Sequence, residues 1–417
     1  MMDENASPQA ASALAASSPM SPKSFEAQQP LLLELDVEDG IERRRSRRSR
    51  PRWGRHNQQP TSAQVHQFCN RMFLRSLVWF MKISAGFISG FIFALFVIPF
   101  WPTPSEDHFD DAFRNFQTSL GISPFDPDYP TEYMKSVLPI PCHSHNDYLR
   151  RRPLWSALGS GCIAVEADVW HIGADLYVGH TQDEVVRSKT LTNLYIEPLT
   201  ELLDHRNMNR MEWSEMKGVF YQDPSQTLVL LVDLKTPDCW DLLYEQIEPL
   251  RQKGYLTYWD GSTRIIRPVT VVASGSAPFD ILISNQTYRD IFYDAPLDAL
   301  DDCIDGECES SQVSEGAIPY KYNPSNSYYA SSSLARAIGA IPGFRLTNSQ
   351  LELIRRQIDE ARKRGLIPRY WGTPRWPRGL RDELWGVLLH EGVGVLNVDD
   401  LRAARKGNWG IWSQPSF

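Results

Sequence analysis

The sequence predicts an α/β protein built on a TIM-type (β/α)8 barrel, preceded by a disordered tail and one transmembrane helix. Three observations lead to this fold class. Between residues 137 and 417, eight short apolar runs of β type alternate with helical stretches. This length suits a single barrel of about 250 residues. A long uncharged apolar segment also follows a basic one near the N-terminus, as expected for a membrane helix.

Residues 1–75 form the predicted tail. Residues 1–60 are rich in Ser, Ala, Pro, Gln and Arg, and such a composition buries too little apolar surface to offset the entropy of ordering. The run RRRSRRSRPRWGR holds eight arginines between 43 and 55. A basic run is also typical of nuclear signals and RNA contacts. Its place just before an apolar segment favours a simpler role, that of a membrane-topology determinant.

A transmembrane helix is predicted over 76–101. Its core, ISAGFISGFIFALFVIPFW at 83–101, has no charge, and at about 1.5 Å per residue it just crosses a hydrocarbon core of about 30 Å. Trp79 and Trp101 lie where interfacial aromatic residues belong. Basic residues precede the span and acidic residues follow it. The positive-inside rule then predicts a single-pass protein with a cytosolic N-terminus and a lumenal or extracellular catalytic domain.

A Pro- and Asp-rich linker is predicted over 102–136, and the barrel domain over 137–417. Residues 1–82 carry 12 basic and 8 acidic side chains, whereas residues 83–417 carry 31 basic and 43 acidic ones. The acidic balance of the larger part argues against nucleic-acid binding.

The predicted strands are VLPIPC, CIAVEADV, ADLYVGH, LVLLVDL, VTVVAS, DILIS, LIPRYW and VGVLNV. Helices are predicted between several of them. PLWSALGSG opens at Pro153, and DCWDLLYEQIEPLRQKG ends at Gly254. TNSQLELIRRQIDEARKRG begins with a capping-box pattern at Thr347 and Gln350, and RGLRDELWGVLLHEG precedes the last strand.

Polar residues follow four of the apolar runs, at the strand ends where TIM barrels carry their active sites. In chain order they are His143 and His145, Glu166 and Asp168, His180, and Asp233 with Lys235. The i, i+2 spacing of Glu166 and Asp168 turns both carboxylates to one face of a strand. Each pattern by itself is common at solvated strand ends, but four of them in order point to one site.

Carboxylates that converge on one mouth repel each other unless a cation neutralises them, and Mg²⁺ or Ca²⁺ prefers such oxygen ligands. A lysine beside the ion suits a phosphate oxygen. Two histidines can serve as base and acid, because their reference pKa lies near neutral pH. Together these groups predict hydrolysis of a phosphodiester.

The motifs HSHNDY, SALGSGCIAVEADVW, LYVGHT and DLKT resemble the PLC-like phosphodiesterase superfamily, which includes glycerophosphodiester phosphodiesterases and the venom sphingomyelinase D type of phospholipase D. They most closely resemble the fungal family called altered inheritance of mitochondria protein 6. The likeness covers about residues 137–417. It implies a TIM barrel and a phosphodiester or phospholipid-like substrate.

The resemblance also implies residue roles. It implies one Mg²⁺ or Ca²⁺ ion bound by Glu166, Asp168 and Asp233, with catalytic histidines at His180 and at either His143 or His145. Lys235 matches the lysine of the venom enzymes' DLKT motif and would bind substrate. Asn146 matches an asparagine three residues after their first histidine, which favours His143 over His145.

The chain departs from these families at two motifs. HSH replaces the glycerophosphodiesterase HRG motif, and the ENT element is absent. Asp147 is an additional carboxylate without an assigned role. The substrate headgroup, and the choice between hydrolysis and a cyclising transfer, therefore stay open.

Two other functions are compatible with parts of the pattern. An HxH pair after a first barrel strand is typical of amidohydrolases and PHP-type phosphoesterases, but these need further histidine ligands, and no histidine occurs between residues 206 and 389. A catalytically silent, membrane-anchored lipid-binding barrel is the second alternative, although none of the catalytic residues is missing.

Two further motifs bear on the compartment of the barrel domain. Cys303 and Cys308 enclose a short loop and are either disulfide-bonded or free. Asn285 begins the glycosylation acceptor sequence NQT, which is compatible with a lumenal domain.

Overall fold

The structure is a computed structural model that describes residues 62–97, 108–211, 215–300 and 321–407. The predicted tail up to residue 61 and the Cys303–Cys308 loop lie outside these residues. The chain divides into two units, residues 1–82 and 83–417, at a point inside a long helix. The helix and the barrel are therefore described separately.

The N-terminal described element is the helix Ser62–Val97. Its stretch Cys69–Ala94 is long and apolar enough to cross a membrane. The helix begins earlier than the predicted residue 76, because apolar side chains such as Met72 and Phe73 continue the apolar surface on the N-terminal side of Arg75. Residues 98–101 of the predicted span lie outside the described residues.

Eight parallel strands close into a barrel, which confirms the predicted fold class. Each strand pairs with the next along the chain, and the last pairs with the first. In chain order they are β1 (Ile140–Ser144), β2 (Cys162–Ile172), β3 (Leu228–Leu234), β4 (Val269–Gly275), β5 (Ile291–Pro296), β6 (Ser327–Ser333), β7 (Ile367–Trp371) and β8 (Val395–Val398).

Two predicted strands take other roles. The run ADLYVGH supplies Asp175–Val178, which pairs antiparallel with the extended end of β2 outside the barrel. The prediction of a strand at DILIS is wrong, because Phe279–Leu282 is a short helix. The sequence pattern also missed β5 and β6. β6 reads SYYASSS, and its buried serines Ser327, Ser331 and Ser332 conceal the apolar signal of a strand.

The described helices other than Ser62–Val97 lie before, between and after the barrel strands. They are His108–Ala112, Thr131–Ser136, Trp155–Ser160, Glu197–Asn207, Cys239–Gln246, Glu248–Gln252, Phe279–Leu282, Leu334–Ile338, Asn348–Lys363, Arg378–Glu391 and Leu401–Lys406. The predicted helix over 238–254 is divided in two at Ile247. The capping box is present, because the Thr347 hydroxyl accepts from Gln350 N at 3.2 Å while the Gln350 side chain accepts from Thr347 N at 3.0 Å.

Residues 108–136, part of the predicted linker, pack into the barrel domain. Phe109 and Phe113 are buried, and Phe113 and Tyr129 contact the ring of Trp155, with ring centroids 6.2 and 5.7 Å away. This aromatic cluster has no regular periodicity in the sequence, so composition alone indicated a linker. The domain therefore includes this segment.

The barrel interior is apolar at the amino-terminal ends of the strands and polar at the carboxyl-terminal ends. Its apolar part is formed by Ala164, Val229, Leu231, Val272, Phe292, Tyr328, Tyr329 and Val395. A disulfide joins Cys142 of β1 to Cys162 of β2, and the sequence analysis did not predict this pair. Both cysteines are fully buried.

Candidate active site

The carboxyl-terminal ends of the strands, here called the mouth, bring the predicted carboxylates to one level. Asp168 of β2 is the register partner of Asp233 on β3, which in turn is the partner of Ser274 on β4. Glu166 lies two residues before Asp168 on β2. Parallel pairing in register therefore places these side chains at one end of the barrel. The i, i+2 spacing of Glu166 and Asp168 turns both of them to the same face of β2.

Lys235 lies between two of these carboxylates. Its Nζ is 2.7 Å from Asp168 Oδ2 and 2.6 Å from Asp233 Oδ2. Burial opposes protonation, but the charge of Asp233 and the hydrogen bond to Asp168 outweigh it, so the pKa of Lys235 is raised. The ammonium group therefore stays charged and neutralises part of the mouth.

Asp168 uses one oxygen for nearly all its contacts. Its Oδ2 accepts hydrogen bonds from Tyr148 Oη at 2.9 Å and from Lys235, and lies 3.0 Å from His180 Nδ1. Its Oδ1 is buried and has no hydrogen-bond partner among the described residues. Burial and the charge of Glu166 raise the pKa of Asp168 despite the opposing lysine. This carboxylate lacks a cation on one side.

Glu166 is held by two donors inside the barrel. Its Oε2 lies 3.0 Å from His143 Nε2 and 2.9 Å from Arg369 Nη2. Burial alone raises the pKa of Glu166, but the Arg369 charge and the His143 hydrogen bond lower it well below its usual range. Because an ionised carboxylate only accepts hydrogen bonds, His143 must donate through Nε2.

His143 is completely buried. Burial, reinforced by the nearby Arg369 charge, lowers the pKa of His143 to about 3. This histidine is therefore neutral at physiological pH and orients Glu166.

Arg369 of β7 is the central cation of the interior. It donates to Asn397 Oδ1 on β8 at 2.7 Å as well as to Glu166, and its Nη1 lies 3.5 Å from Asp294 Oδ2 on β5. Burial raises the pKa of Asp294 to about 6, although Arg369 opposes this shift. Arg369 therefore connects β7 to three other strands, β2, β5 and β8, through polar contacts.

His145 lies just beyond β1 and has a different partner from His143. Its Nδ1 is 2.8 Å from Asp399 Oδ1, and Asp399 also accepts from Arg375 Nε at 2.7 Å. The imidazole is one-fifth exposed, whereas the His180 side chain is 58% exposed. Both of these histidines contact an aspartate through Nδ1, so Nε2 is in each case the ring nitrogen that does not face the aspartate.

Asn146 and Asp147 shape the turn that follows β1. Asn146 adopts a left-handed conformation with φ of 47°, and its side-chain Oδ1 lies 3.0 Å from Tyr148 Oη. Asp147 is buried and accepts from Ser144 Oγ, Leu154 N and Tyr195 Oη. The additional carboxylate of the sequence is thus a buried anchor of the turn.

The mouth carries more acidic than basic side chains, and its carboxylate oxygens are of the type that divalent cations prefer. Among the described residues, no group of three or more His, Cys, Asp or Glu side chains is arranged to hold a metal ion as it stands. Four carboxylates, Glu166, Asp168, Asp233 and Asp294, nevertheless surround two cationic side chains, Arg369 and Lys235. If all are ionised, two negative charges are in excess, and the buried Asp168 Oδ1 is a free hard donor.

Sequence reasoning missed Arg369, Asp294, Asn397 and Asp399. One signal was available for Arg369 and Asn397, since each is a polar residue inside a run predicted as a strand, LIPRYW and VGVLNV. Asp294 was missed together with its strand. Asp399 follows β8 directly, as other mouth residues follow their strands.

Comparison with known proteins gives the family of this chain. A family model described as AIM6-like phosphodiesterase domain matches residues 131–294, the segment that contains all eight predicted site residues. Altered inheritance of mitochondria protein 6 homolog from Arthroderma benhamiae is 37% identical over 291 residues, which cover 66% of this chain and 86% of that protein. The chain belongs to the altered inheritance of mitochondria protein 6 family.

Two further relatives carry the same family name. Altered inheritance of mitochondria protein 6 from Eremothecium gossypii is 36% identical over 63% of this chain and 68% of its own length. The protein from Saccharomyces cerevisiae is 35% identical over 64% of this chain and 70% of its own length. The description of the matching family model indicates that the altered inheritance of mitochondria protein 6 family is phosphodiesterase-like.

Proposed function

We propose that this chain is a membrane-anchored, metal-dependent phosphoric diester hydrolase that acts on a glycerophosphodiester or phospholipid-like substrate. The observation that carries this proposal is the Asp168 carboxylate. It is buried between Glu166 and Asp233, has Lys235 on Oδ2, and has a buried Oδ1 without a described partner. Such a group requires positive charge that the described side chains supply only in part.

Glu166, Asp168 and Asp233 would hold one Mg²⁺ or Ca²⁺ ion through oxygen atoms. When bound, the ion supplies Lewis acidity and offsets negative charge that develops on the phosphoryl oxygens. Arg369 and His143 keep Glu166 ionised and oriented for this purpose, as outer partners of metal ligands commonly do.

Lys235 would bind the phosphate group. Its ammonium lies between two carboxylates and remains protonated, so a phosphate oxygen that approaches the mouth gains a charge-assisted hydrogen bond. The same charge stabilises the transition state, in which phosphoryl oxygens carry more negative charge.

His145 and His180 would move the protons. Each is oriented by an aspartate through Nδ1, the arrangement that fixes a catalytic imidazole. His143 suits this role less, because it is fully buried and its pKa is lowered to about 3. Burial therefore favours His145 over His143, although the position of Asn146 in the sequence favoured His143. Attack by water, by a substrate hydroxyl or by a histidine would use the same groups.

Membrane attachment would come from the helix Ser62–Val97, with the N-terminus in the cytosol and the barrel domain in a lumen or outside the cell. The Cys142–Cys162 disulfide supports that orientation, because disulfides persist mainly in oxidising compartments. Attachment to the bilayer would keep the protein at a lipid surface, which supports a phospholipid or one of its degradation products as substrate.

The test is an activity assay on the full-length protein in lipid nanodiscs. A panel of glycerophosphodiesters and phospholipids is incubated with Mg²⁺, with Ca²⁺ or with a chelator, and the products are identified by mass. We expect turnover that needs the divalent ion and falls by about 100- to 10,000-fold in His180→Ala. His171→Ala is the matched control, because its Nδ1 also lies 2.8 Å from an aspartate, Asp238, but away from the three carboxylates.

Three outcomes contradict the proposal. Full activity in the presence of chelator would refute the metal dependence. Equal losses of activity in His171→Ala and His180→Ala would refute the assigned role of His180. Absence of turnover on every diester, with Mg²⁺ still bound, would instead favour a silent lipid-binding barrel.

A further inference from the structure

The loop before β5 carries an acceptor sequence for N-linked glycosylation, Asn285-Gln286-Thr287. All three residues are exposed. Because the loop precedes β5, it lies at the end of the barrel opposite the mouth. A modification there leaves the candidate active site open.

The geometry of this loop presents the amide nitrogen. Asn285 Oδ1 accepts hydrogen bonds from the Thr287 backbone and hydroxyl, both at 3.0 Å, and from Tyr288 N at 3.1 Å. Within the described part of the chain, no group is hydrogen-bonded to Asn285 Nδ2. The threonine that the acceptor sequence requires is therefore already in contact with the asparagine side chain.

The surroundings leave space for a sugar. Asn285 lines an open depression of about 420 Å³, together with the exposed side chains of Tyr244, Ile281 and Tyr288. A second, independent feature of the fold concerns the compartment. The Cys142–Cys162 disulfide indicates oxidising surroundings, such as those in which secreted domains fold.

We infer that Asn285 is an N-glycosylation site and that the barrel domain is exposed to the lumen of the secretory pathway. In the transfer, Asn285 Nδ2 attacks the anomeric carbon of a lipid-diphosphate-linked oligosaccharide. A carbon–nitrogen bond forms, the bond from that carbon to the diphosphate oxygen breaks, and the amide proton is released as the lipid diphosphate leaves. This inference rests on the orientation included in the proposed function and is independent of the phosphodiesterase chemistry.

The experiment uses the full-length chain expressed in a eukaryotic host, with glycan detected as a mass shift that peptide N-glycosidase removes. We expect one glycan on the native chain, none on Asn285→Gln and none on Thr287→Val. Thr287→Ser should keep the glycan. Thr287→Val leaves Asn285 in place. Loss of the glycan in Thr287→Val as well as in Asn285→Gln could therefore not result from misfolding of one variant.

The N-terminal segment offers a matched control, since it has its own acceptor sequence at Asn5-Ala6-Ser7. Changing Ala6→Gln, Ser7→Thr and Pro8→Tyr gives Asn5 the same following residues as Asn285. For a cytosolic N-terminus, this variant should gain no second glycan. A second glycan would place the N-terminal segment in the lumen as well and would contradict a cytosolic N-terminus. An unmodified native chain would overturn the inference. Neither result changes the activity assay, so failure of this inference is distinguishable from failure of the proposed chemistry.

Discussion

Asp168 contacts three other polar side chains at the mouth. One oxygen contacts Tyr148, His180 and Lys235, while the other is buried without a described partner. Lys235 therefore supplies positive charge to Oδ2 and not to Oδ1. The opposite oxygen is where a further cation would be most stabilising.

Lys235→Met is expected to separate substrate activation from metal binding. Removing the ammonium leaves the carboxylates with less positive charge, so Mg²⁺ should bind as tightly as before or more tightly. Turnover should fall by about 100- to 1,000-fold, because the phosphoryl oxygens lose a charged hydrogen-bond donor that stabilises their negative charge in the transition state. Calorimetric titration with Mg²⁺ and steady-state kinetics give the two quantities.

Lys253→Met is the control, because Lys253 also forms an ion pair with an aspartate, Asp204, but on the protein surface. It should change neither quantity. A Lys235→Met variant that no longer binds Mg²⁺ would contradict the assigned roles.

Asp147→Asn should make the protein less sensitive to pH. Burial raises the pKa of Asp147. The contribution of its protonated form to the free energy of unfolding is therefore fully present below about pH 4. That contribution is lost as the pH rises through the raised folded-state pKa. Asparagine keeps an acceptor for Leu154 N and offers a donor to Ser144 Oγ, so the variant should gain in relative stability as the pH rises from 4 to 8.

The measurement is denaturant unfolding of Asp147→Asn and the native chain across that pH range. Asp147→Ala should lose about 1–3 kcal/mol, because buried donors are left unpaired. Asp359→Asn on an exposed helix face removes the same formal charge and should change stability by less than about 0.5 kcal/mol. A constant difference between Asp147→Asn and the native chain at every pH would refute the assignment.

The ends of β3 and β4 show how backbone elements position the site. Gly275 ends β4 with φ of +65°, and an added Cβ there would lie 2.6 Å from both Asp233 Oδ1 and Leu234 O. This close approach lets the Ser274 hydroxyl donate to Asp233 Oδ1 at 2.7 Å. A glycine at this strand end is therefore part of the architecture of the mouth.

Gly275→Ala should displace Asp233 and destabilise the protein by about 1–3 kcal/mol through strain and overlap. Mg²⁺ affinity should fall as well. Gly173→Ala is the control, because Gly173 has a similar φ of +68° but nothing within 4 Å of an added Cβ. Thermal unfolding and Mg²⁺ titration distinguish the two variants. Equal effects of both would mean that backbone conformation alone, and not the contact with Asp233, matters.

The whole molecule combines a helix that is long and apolar enough to cross a membrane with a domain that carries a buried disulfide. The Cys142–Cys162 bond joins the first two barrel strands across a separation of 20 residues, next to His143 and close in sequence to Glu166. The bond therefore constrains the part of the barrel where the first site residues lie.

Cys142→Ser together with Cys162→Ser should lower the free energy of unfolding by about 3 kcal/mol, the loss expected for a closed loop of this size. The native protein should lose a similar amount in reductant. Cys69→Ser, at an exposed free cysteine, should have no such effect. Denaturant unfolding with and without reductant measures the difference. No response of the native barrel to reductant would contradict a structural role for the bond.

The sequence by itself determined the barrel class, the order of the mouth residues and the apolar helix, because these features follow from local periodicity and from the polar residues that close each strand. The tertiary structure alone decided which partners those residues have. Arg369 lies on β7, yet it neutralises Glu166 on β2. Asp399, which directly follows β8, contacts His145 at the end of β1.

No sequence spacing encodes these contacts, because barrel closure brings together residues more than 200 positions apart. The same closure buries His143 completely while leaving His145 partly exposed, although the two residues belong to one short motif. Burial depends on the strands that pack around a residue, so the difference in burial that favours His145 could be seen only in the folded chain.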